Sequence, residues 1–376
     1  MNFEILAIDN HNPQSVDTFY QVQSVIYSND PLFIHPLRND VETVFNPSKN
    51  KYFENGNAIR WVVYNNGQLA GRIAAFWERK GEKLWGGWGF FECINNAEVS
   101  AVLIEKAEAF LRDAGCTKIQ APVNFGDRDA FWGLCIQAKH APTYLENYNP
   151  SYYQQLIEDM GYGVEFEQST YDITPQTFNI ERFSQIASRF VNKGESASKF
   201  LDIGQLEKYS ADFVRIYNEA WSHHVDFVPL TQKVLLKRFK TMRWAMYEEF
   251  AIFAYHKGRP IGFYINILEL NQVFKDFRGK MNWWNQLKFI MRRKQITKAK
   301  GIIFGVVPDY QNLGIETGMI MKMYEGIKKY EKISSIELAW IGSFNPKMLS
   351  MLKSLGAIPT KLHYTYFKEI SASSVA

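Results

Sequence analysis

Two periodicities alternate along this chain. Runs such as Arg60–Tyr64, Ala70–Trp77 and Leu84–Cys93 are rich in aromatic and β-branched side chains and are bounded by Gly or Asn, which predicts strands. Glu98–Ala114 repeats its apolar positions every three or four residues, the spacing of an amphipathic helix, and a short strand follows at Lys118–Pro122. Pro13–Phe45 reads as helices and loops, and Asn149–Met160 as a helix behind a long loop. The later part of the chain has a similar order. Helices are predicted at Ser210–Tyr217 and Thr231–Met242, with strands at Phe250–His256, Ile261–Glu269 and Gly301–Val307. A helix at Ile315–Tyr330, a strand at Ile336–Trp340, a helix from Asn345 and a strand at Leu362–Phe367 complete it. Such alternation predicts an α/β protein.

The similarity extends to punctuation. Trp61–Gly67 leads through a polar turn into a return strand with Gly71, and Ile252–Gly258 leads in the same way to Gly262; both glycines recur 191 positions on. Asn149-Pro150 opens a segment that stops at Gly161, and Asn345-Pro346 opens one that stops at Gly356, 196 and 195 positions on. Asn before Pro, then an apolar stripe and a Gly, is the pattern of a capped helix with a glycine stop. Two pairs at nearly one offset predict duplication of a whole domain: residues 1–175, a linker at 176–200 that is polar and Ser/Asn-rich near its end, and residues 201–376.

Length agrees, since 376 residues exceed one ordinary core. Hydrophobic residues at 46% and charged residues at 22% exclude a disordered or fibrous chain. No apolar run approaches the roughly 18 residues of a membrane helix, and the first residues, MNFEILAIDN, lack the basic-then-apolar order of a secretory leader. Cys93, Cys116 and Cys135 are odd in number and lack CxxC spacing, so neither a disulfide framework nor a zinc ribbon is expected, and a cytoplasmic protein is. The net charge of +4 is uneven: Lys275–Lys300 holds nine Lys or Arg and one acid, leaving −4 for the remainder. This segment is expected to be a surface helix with Trp283 and Trp284 turned inward. A protein basic only here is not expected to bind nucleic acid over its whole surface.

Chemistry concentrates after the strand Gly301–Val307. Val306-Val307-Pro308-Asp309-Tyr310-Gln311-Asn312-Leu313-Gly314-Ile315-Glu316 is a glycine-containing turn that opens an amphipathic helix, where backbone N–H groups and the helix dipole favour an anion such as a pyrophosphate. The segment resembles motif A of the GCN5-related N-acetyltransferase superfamily, a Gln/Arg-x-x-Gly-x-Gly/Ala turn after a strand ending in hydrophobic–Pro. Gln311 and Gly314 match it, and Glu316 stands where the family has Gly or Ala. The resemblance implies two tandem acyl-CoA N-acyltransferase-like domains, each a mixed, mostly antiparallel twisted sheet flanked by helices. It implies acetyl-CoA or another acyl-CoA as substrate, held by Val306, Val307 and Gln311–Glu316, with no metal.

The first half lacks the glycines of that turn (Phe91–Glu98) and reads as a degenerate copy. Its loop Pro122–Gly133, with Asp127, Arg128 and Trp132, is dense enough in polar and aromatic groups to recognise a polar acceptor, and Glu92 ends its central strand. The implied chemistry needs a polarised thioester carbonyl, a neutral amine and a proton for the leaving thiolate. The family's usual acid, a Tyr seven residues after the helix-opening Asn, falls here on Leu352, and its first-half counterpart is Ile157. The expected substitutes are Tyr310, Tyr364 or Tyr366 as acid and Asp309 as base. His223, His224 and Asp226 are too closely spaced to converge on a metal, and Cys135 with His140 lacks a third partner for nucleophilic catalysis. The leading expectation is N-acyl transfer to a small amine or amino-acid-like acceptor. The alternatives are an aminoacyl-tRNA-dependent transferase of the peptidoglycan type, with tRNA as a partner, and a non-catalytic ligand-binding protein.

Overall fold

The computed structural model describes residues 2–191, 196–222 and 229–371. His223, His224 and Asp226 lie outside them. In chain order the elements are β1 (Phe3–Ala7), α1 (Pro13–Ile26), α2 (Arg38–Val44), β2 (Gly56–Asn65), β3 (Gln68–Lys80), β4 (Lys83–Cys93), α3 (Ala97–Asp113), β5 (Lys118–Ala121), β6 (Leu134–Ala138), α4 (Tyr153–Glu158) and β7 (Gly163–Ile173). There follow α5 (Ile180–Val191), β8 (Ser196–Phe200), α6 (Leu206–Trp221), α7 (Gln232–Met242), β9 (Ala251–His256), β10 (Arg259–Leu268), α8 (Asn271–Phe274), α9 (Trp283–Arg292), β11 (Lys298–Val306), α10 (Ile315–Ile327), β12 (Ser335–Gly342), α11 (Pro346–Leu355) and β13 (Ile358–Glu369).

The duplication is visible in the backbone. The β2–β3 turn at Asn66-Gly67 and the β9–β10 turn at Lys257-Gly258 have the same left-handed pair, with φ of 49° and 79° in the first and 49° and 81° in the second. Two consecutive positive φ values match the right-handed twist of the flanking strands, which is why a Gly closes each turn. Gly71 and Gly262 both lie under a helix: a Cβ at Gly71 would meet Leu103 of α3 at 2.7 Å, and one at Gly262 would meet Met319 of α10 at 3.1 Å. The second repeated pair diverges. Asn345 caps α11 through Met348 N–H at 3.2 Å, and Gly356 ends it at φ 79°. Asn149 instead clamps the Cys135 backbone, accepting its N–H at 2.7 Å and donating to its carbonyl at 3.0 Å, so the predicted Asn149 helix shrinks to α4.

The strands form one continuous sheet in the order β1-β2-β3-β4-β5-β13-β7-β12-β11-β10-β9-β8, with β6 also on β13. Only β4·β5 and β11·β12 are parallel. The last strand of the chain, β13, lies against β5 of the first half, while β7 of the first half lies against β12 of the second. At the centre β7 and β13 pair antiparallel, with Gly163 opposite Phe367 and Asp172 opposite Ile358. Positions 163 and 172, moved on by 195, become 358 and 367, so the pairing maps onto itself like an isologous contact within one chain. The first half's core packs Trp88, Leu103, Ile104, Tyr153 and Tyr366 together, so a residue of β13 belongs to it. The second half's core gathers Phe213, Phe253, Phe263, Met319 and Met323.

Charge is buried at this seam. Lys361 of β13, 3% exposed, reaches Glu146 at 2.7 Å and Glu337 at 2.6 Å. Burial alone would raise the Glu146 carboxyl, but Lys361, His363 and Lys300 outweigh it and hold it down at about 2. Removing one member leaves the others charged and dry, which costs far more than the ion pair contributes. Lys361→Met is therefore expected to lose about 3–5 kcal/mol in urea unfolding. A chain truncated after Gly356 bares the β5 and β7 edges together, so circular dichroism should report lost structure in both halves, not in the second alone.

Candidate active site

A central strand pair normally stays paired along its length. Here β11 and β12 are bonded only from Lys298↔Ser335 to Gly301↔Leu338. Beyond that point β11 follows β10 to Val306, while β12 follows β7 through Ile341↔Ser169 and Gly342↔Gln168. A notch opens between them, and Ile302, Ile303, Phe304, Ala339 and Trp340 are only half-buried although they lie on central strands.

The turn predicted to bind an anion stands at the open end of the notch. Gln311 Nε2 donates to the Val306 carbonyl at 3.0 Å and ties the turn to the strand. Gly314 precedes α10 at φ 89°, a left-handed conformation in which a side chain would be strained. Among the described residues, no acceptor takes the N–H groups of Leu313, Gly314, Ile315, Glu316 or Thr317. Five successive donors at the positive end of a helix form an anion nest. Glu316 is folded back, and its Oε1 accepts the Asn312 N–H at 3.3 Å, so its negative charge occupies one edge of the nest.

The first half has a corresponding notch, since β4 and β5 pair only at Gly86↔Ile119 and Gly87↔Gln120. Its helix start is different. Only Ile94–Asn96 separate β4 from α3, where Val307–Gly314 separate β11 from α10. Asn96 closes this short turn, donating to Ile94 O at 2.6 Å and accepting from Val99 N–H at 3.0 Å. By register Glu92, opposite Arg72, corresponds to Gly305, opposite Phe263, so its side chain has no counterpart in the second half. Glu92 is buried and accepts from Tyr27 at 2.6 Å, Tyr153 at 2.9 Å, Arg72 at 3.3 Å and Gln23 at 3.4 Å. Burial raises its carboxyl and Arg72 lowers it, with a net rise. It borders a cavity of about 60 Å³ with Phe90, Pro122 and Leu134, beside a hollow of about 150 Å³ lined by His35, Arg38 and Arg278.

The sequence-predicted residues do not all converge. Val306, Val307 and Gln311–Glu316 lie at the end of β11 and the start of α10, beside the second notch, whereas the Tyr310 ring lies 5.3 Å from that of His256 and 5.8 Å from the Arg259 guanidinium, over the β9–β10 hairpin and away from β12, with Asp309 next to it in the chain. Tyr364 sits on β13 opposite Leu134 and Glu167 and packs on the first half's core, edge-on to Tyr366 at 6.0 Å. Three inter-strand steps separate β13 from β11, about 14 Å, and five separate Glu92's strand from β11, about 24 Å. Leu352 is buried among Phe183, Ile320 and Leu355 and offers no proton.

The loop carrying Asp127, Arg128 and Trp132 crosses to the second half. Trp340 Nε1 donates to the Arg128 carbonyl at 3.1 Å, and the Arg128 guanidinium lies 5.3 Å from the Trp132 ring and 5.6 Å from the Phe166 ring. Trp132 is buried and donates to Thr365 at 3.1 Å, so it anchors the loop; Asp127 accepts from Tyr52 at 2.6 Å. Sequence reasoning did not single out Asp129. Its side chain is exposed to solvent, with Asp127, Arg238 and Lys300 as its charged neighbours. Enclosure raises its carboxyl, Asp127 acts in the same direction, and Arg238 and Lys300 oppose them. Tyr217 of α6 feels Asp127, Asp129 and Arg238 together, which brings this loop to the second half's helices.

No family model matches the chain. Protein YghO of Escherichia coli (strain K12) is 25% identical over 378 residues, spanning 96% of this chain and 94% of that one. The bacterial ceramide synthase of Caulobacter vibrioides (strain NA1000 / CB15N) is 22% identical over 388 residues, spanning 98% of each. Among solved structures, a tandem GNAT protein from the clavulanic acid biosynthesis pathway superposes over 99% of this chain and 100% of its own, with a TM-score of 0.58 at 12% identity. The chain has the fold of a tandem GCN5-related N-acetyltransferase. Within that fold the nest at Gly314 follows β11, the loop at Asp127–Trp132 rests on Trp340 of β12, and the first half's helix start is closed by Asn96.

One cluster has metal-ligand composition: His140 Nε2, Asp172 and Glu337 lie within 4.8 Å of one another. Lys298 Nζ stands among them at 2.8 Å from Asp172 and 3.2 Å from Glu337, so an ammonium already supplies the positive charge. Nearby, Glu269 accepts from the N–H groups of Tyr144 at 3.0 Å and Asn271 at 2.9 Å and binds the seam loop to the second half. Burial raises its carboxyl to about 7 from 4.5. The folded chain thus holds this proton more tightly than the unfolded chain. The resulting stabilisation is complete below pH 4.5 and is lost as the pH rises through about 7. Glu269→Gln is expected to remove a decline on the order of 3 kcal/mol across that window, measured as the difference between wild-type and variant urea curves at successive pH values.

Proposed function

We propose that the chain is an acyltransferase that moves an acyl group from acyl-CoA to an amine, with both substrates meeting in the β11/β12 notch. The observation that carries this reading is the nest of five free N–H groups at Gly314, placed where the parallel pair separates. The nest fits a pyrophosphate, and the notch leads from it to the loop of Asp127–Trp132. When bound, acyl-CoA would supply the electrophile, a thioester carbonyl. The remaining tasks fall to this chain's own groups. The backbone N–H of Val306, at the end of β11, is a candidate for contacting the carbonyl, whereas that of Val307 is already donated to the Ile261 carbonyl at 2.9 Å. Asp129 follows Arg128, whose carbonyl is held by Trp340 beside the notch, and has a raised carboxyl, which suits a group that binds an ammonium acceptor and takes its proton. Tyr310, the acid expected from the sequence, packs over the β9–β10 hairpin and is not assigned the proton.

The full-length likeness to a bacterial ceramide synthase supports a lipid-like amine as the acceptor class. The half-buried apolar lining of the notch, from Ile302 to Phe304 and at Trp340, supports the same class.

The nest provides the sharpest test. Gly314→Asp puts a side chain on a left-handed residue and a negative charge beside the phosphates. Calorimetry is expected to show coenzyme A binding weakened by at least about 2 kcal/mol, more than tenfold, in a protein whose circular dichroism is unchanged. Glu316→Ala works in the opposite direction, since it frees the Asn312 N–H and removes a like charge; binding should tighten several-fold. Unchanged affinity in folded Gly314→Asp would reject the notch as the coenzyme site. Asp129→Asn is expected to lower kcat/KM by about 100-fold while leaving coenzyme A affinity intact.

A further inference from the structure

The basic segment forms a surface helix, but its apolar side faces solvent. Only Asn285 and Phe289 of α9 turn inward, and Phe289 packs on Phe274 with ring centroids 5.4 Å apart. Trp283, Trp284, Leu287, Ile290 and Met291 all face out, at 42–62% exposure. At about 100° per residue these five fall within an arc of about 120°, so they form one stripe. Trp283 and Trp284 stack on each other, with centroids 3.8 Å apart. Their predicted inward orientation is therefore corrected: the inner face is set by the Asn282 cap on Asn285 N–H at 2.9 Å and by Phe289.

A second segment extends the stripe. Trp244, 46% exposed, is joined to α9 by Arg293, whose guanidinium lies 5.8 Å from the Trp244 ring and donates to the Trp244 carbonyl at 2.8 Å. Six of the fifteen large hydrophobic side chains exposed among the described residues thus fall on this patch, including every exposed tryptophan. Lys288 and Lys294 are exposed beside it, Arg243 and Arg293 lie over the Trp244 ring, and Arg292, towards the inner side of α9, is paired with Asp276 at 2.8 Å. Lys298 and Lys300 are turned inward, to Asp172 and to the Tyr144 carbonyl.

We propose that α9 and Trp244 form a docking surface for an anionic phospholipid bilayer, with α9 lying in the membrane plane. An outward apolar stripe with a tryptophan pair and a basic border matches the two components of such a surface, acyl chains below and phosphate headgroups around them. Nucleic acid fits less well, because it offers phosphates but no apolar phase for Leu287, Ile290 and Met291. Among the described residues no helix is long and apolar enough to cross a membrane, so attachment here is peripheral. The inference is independent of the acyl-transfer reading.

The test is flotation of the full chain with vesicles of phosphatidylcholine, with and without about 30 mol% phosphatidylglycerol. The wild type should float with the anionic vesicles, with a blue-shifted tryptophan emission, and bind neutral vesicles at least tenfold more weakly. Trp283→Ser/Trp284→Ser should lose at least tenfold in vesicle affinity while keeping its circular dichroism and its coenzyme A affinity. Lys288→Glu/Arg292→Glu should lose binding to anionic vesicles and the salt dependence that accompanies it. The proposal would be overturned by no flotation of the wild type, by equal flotation of the tryptophan variant, or by sedimentation showing the stripe buried between two copies of the chain with no vesicle binding. Preferential retention on tRNA that vesicles do not displace would do the same.

Discussion

The antiparallel pairing of β7 with β13 is the contact on which the rest of the molecule depends. Each strand is contributed by one half and completes the sheet of the other, so neither half has a closed set of strands. The charges at the seam follow from this exchange. Lys361 arrives on the last strand of the chain and can be buried only because Glu146 and Glu337 come to it from different halves. A buried ammonium between two carboxylates adds little net stability compared with an apolar packing, but it makes any other register costly, since a one-residue slip would strand three charges in a dry interior.

The exchange also governs the two notches. Each opens because a parallel pair is bonded briefly at its start and each partner then follows a different neighbour: β12 leaves β11 for β7, and β5 is drawn to β13. Identical splaying has led to different equipment. In the second half eight residues link strand to helix and expose a row of amides. In the first half three residues, capped by Asn96, remove that space, and the notch is instead filled with the polar cluster of Glu92, Arg72, Tyr27 and Tyr153. Chain length between strand and helix, more than the identity of any one residue, decides which notch keeps a row of unpaired amides among the described residues.

Sequence reasoning was strongest where a signal is local. The turns at Gly67 and Gly258 need a left-handed residue, and both adopt one. Most strands and helices carrying a clear period of two or of three to four were found within a few residues. It missed β1, β6, β7 and β8, the last of which falls in the expected linker, because their polar and apolar residues do not alternate cleanly. In β7, GVEFEQSTYDI, the buried side chains are Gln168 and Thr170, and Gln168 accepts from Thr365, which no hydrophobic pattern reveals. It also carried the Asn-Pro analogy too far, since Asn149 spends its amide on Cys135 instead of on a helix start.

Sequence alone determined the duplication, the α/β order, the glycine turn at Gly314 and the local basicity of residues 275–300, because each is written in neighbouring residues or in a fixed offset. Tertiary structure decided the strand exchange, the separation of Tyr364's strand from β11 by about 14 Å, the approach of Asp129 to Arg238 and Lys300, and the outward direction of Trp283 and Trp284. The physical reason is common to all four. A short-range pattern specifies what a segment can become, whereas its partner is selected by competition for burial among segments distant in sequence, and the α9 stripe lost that competition to Phe289.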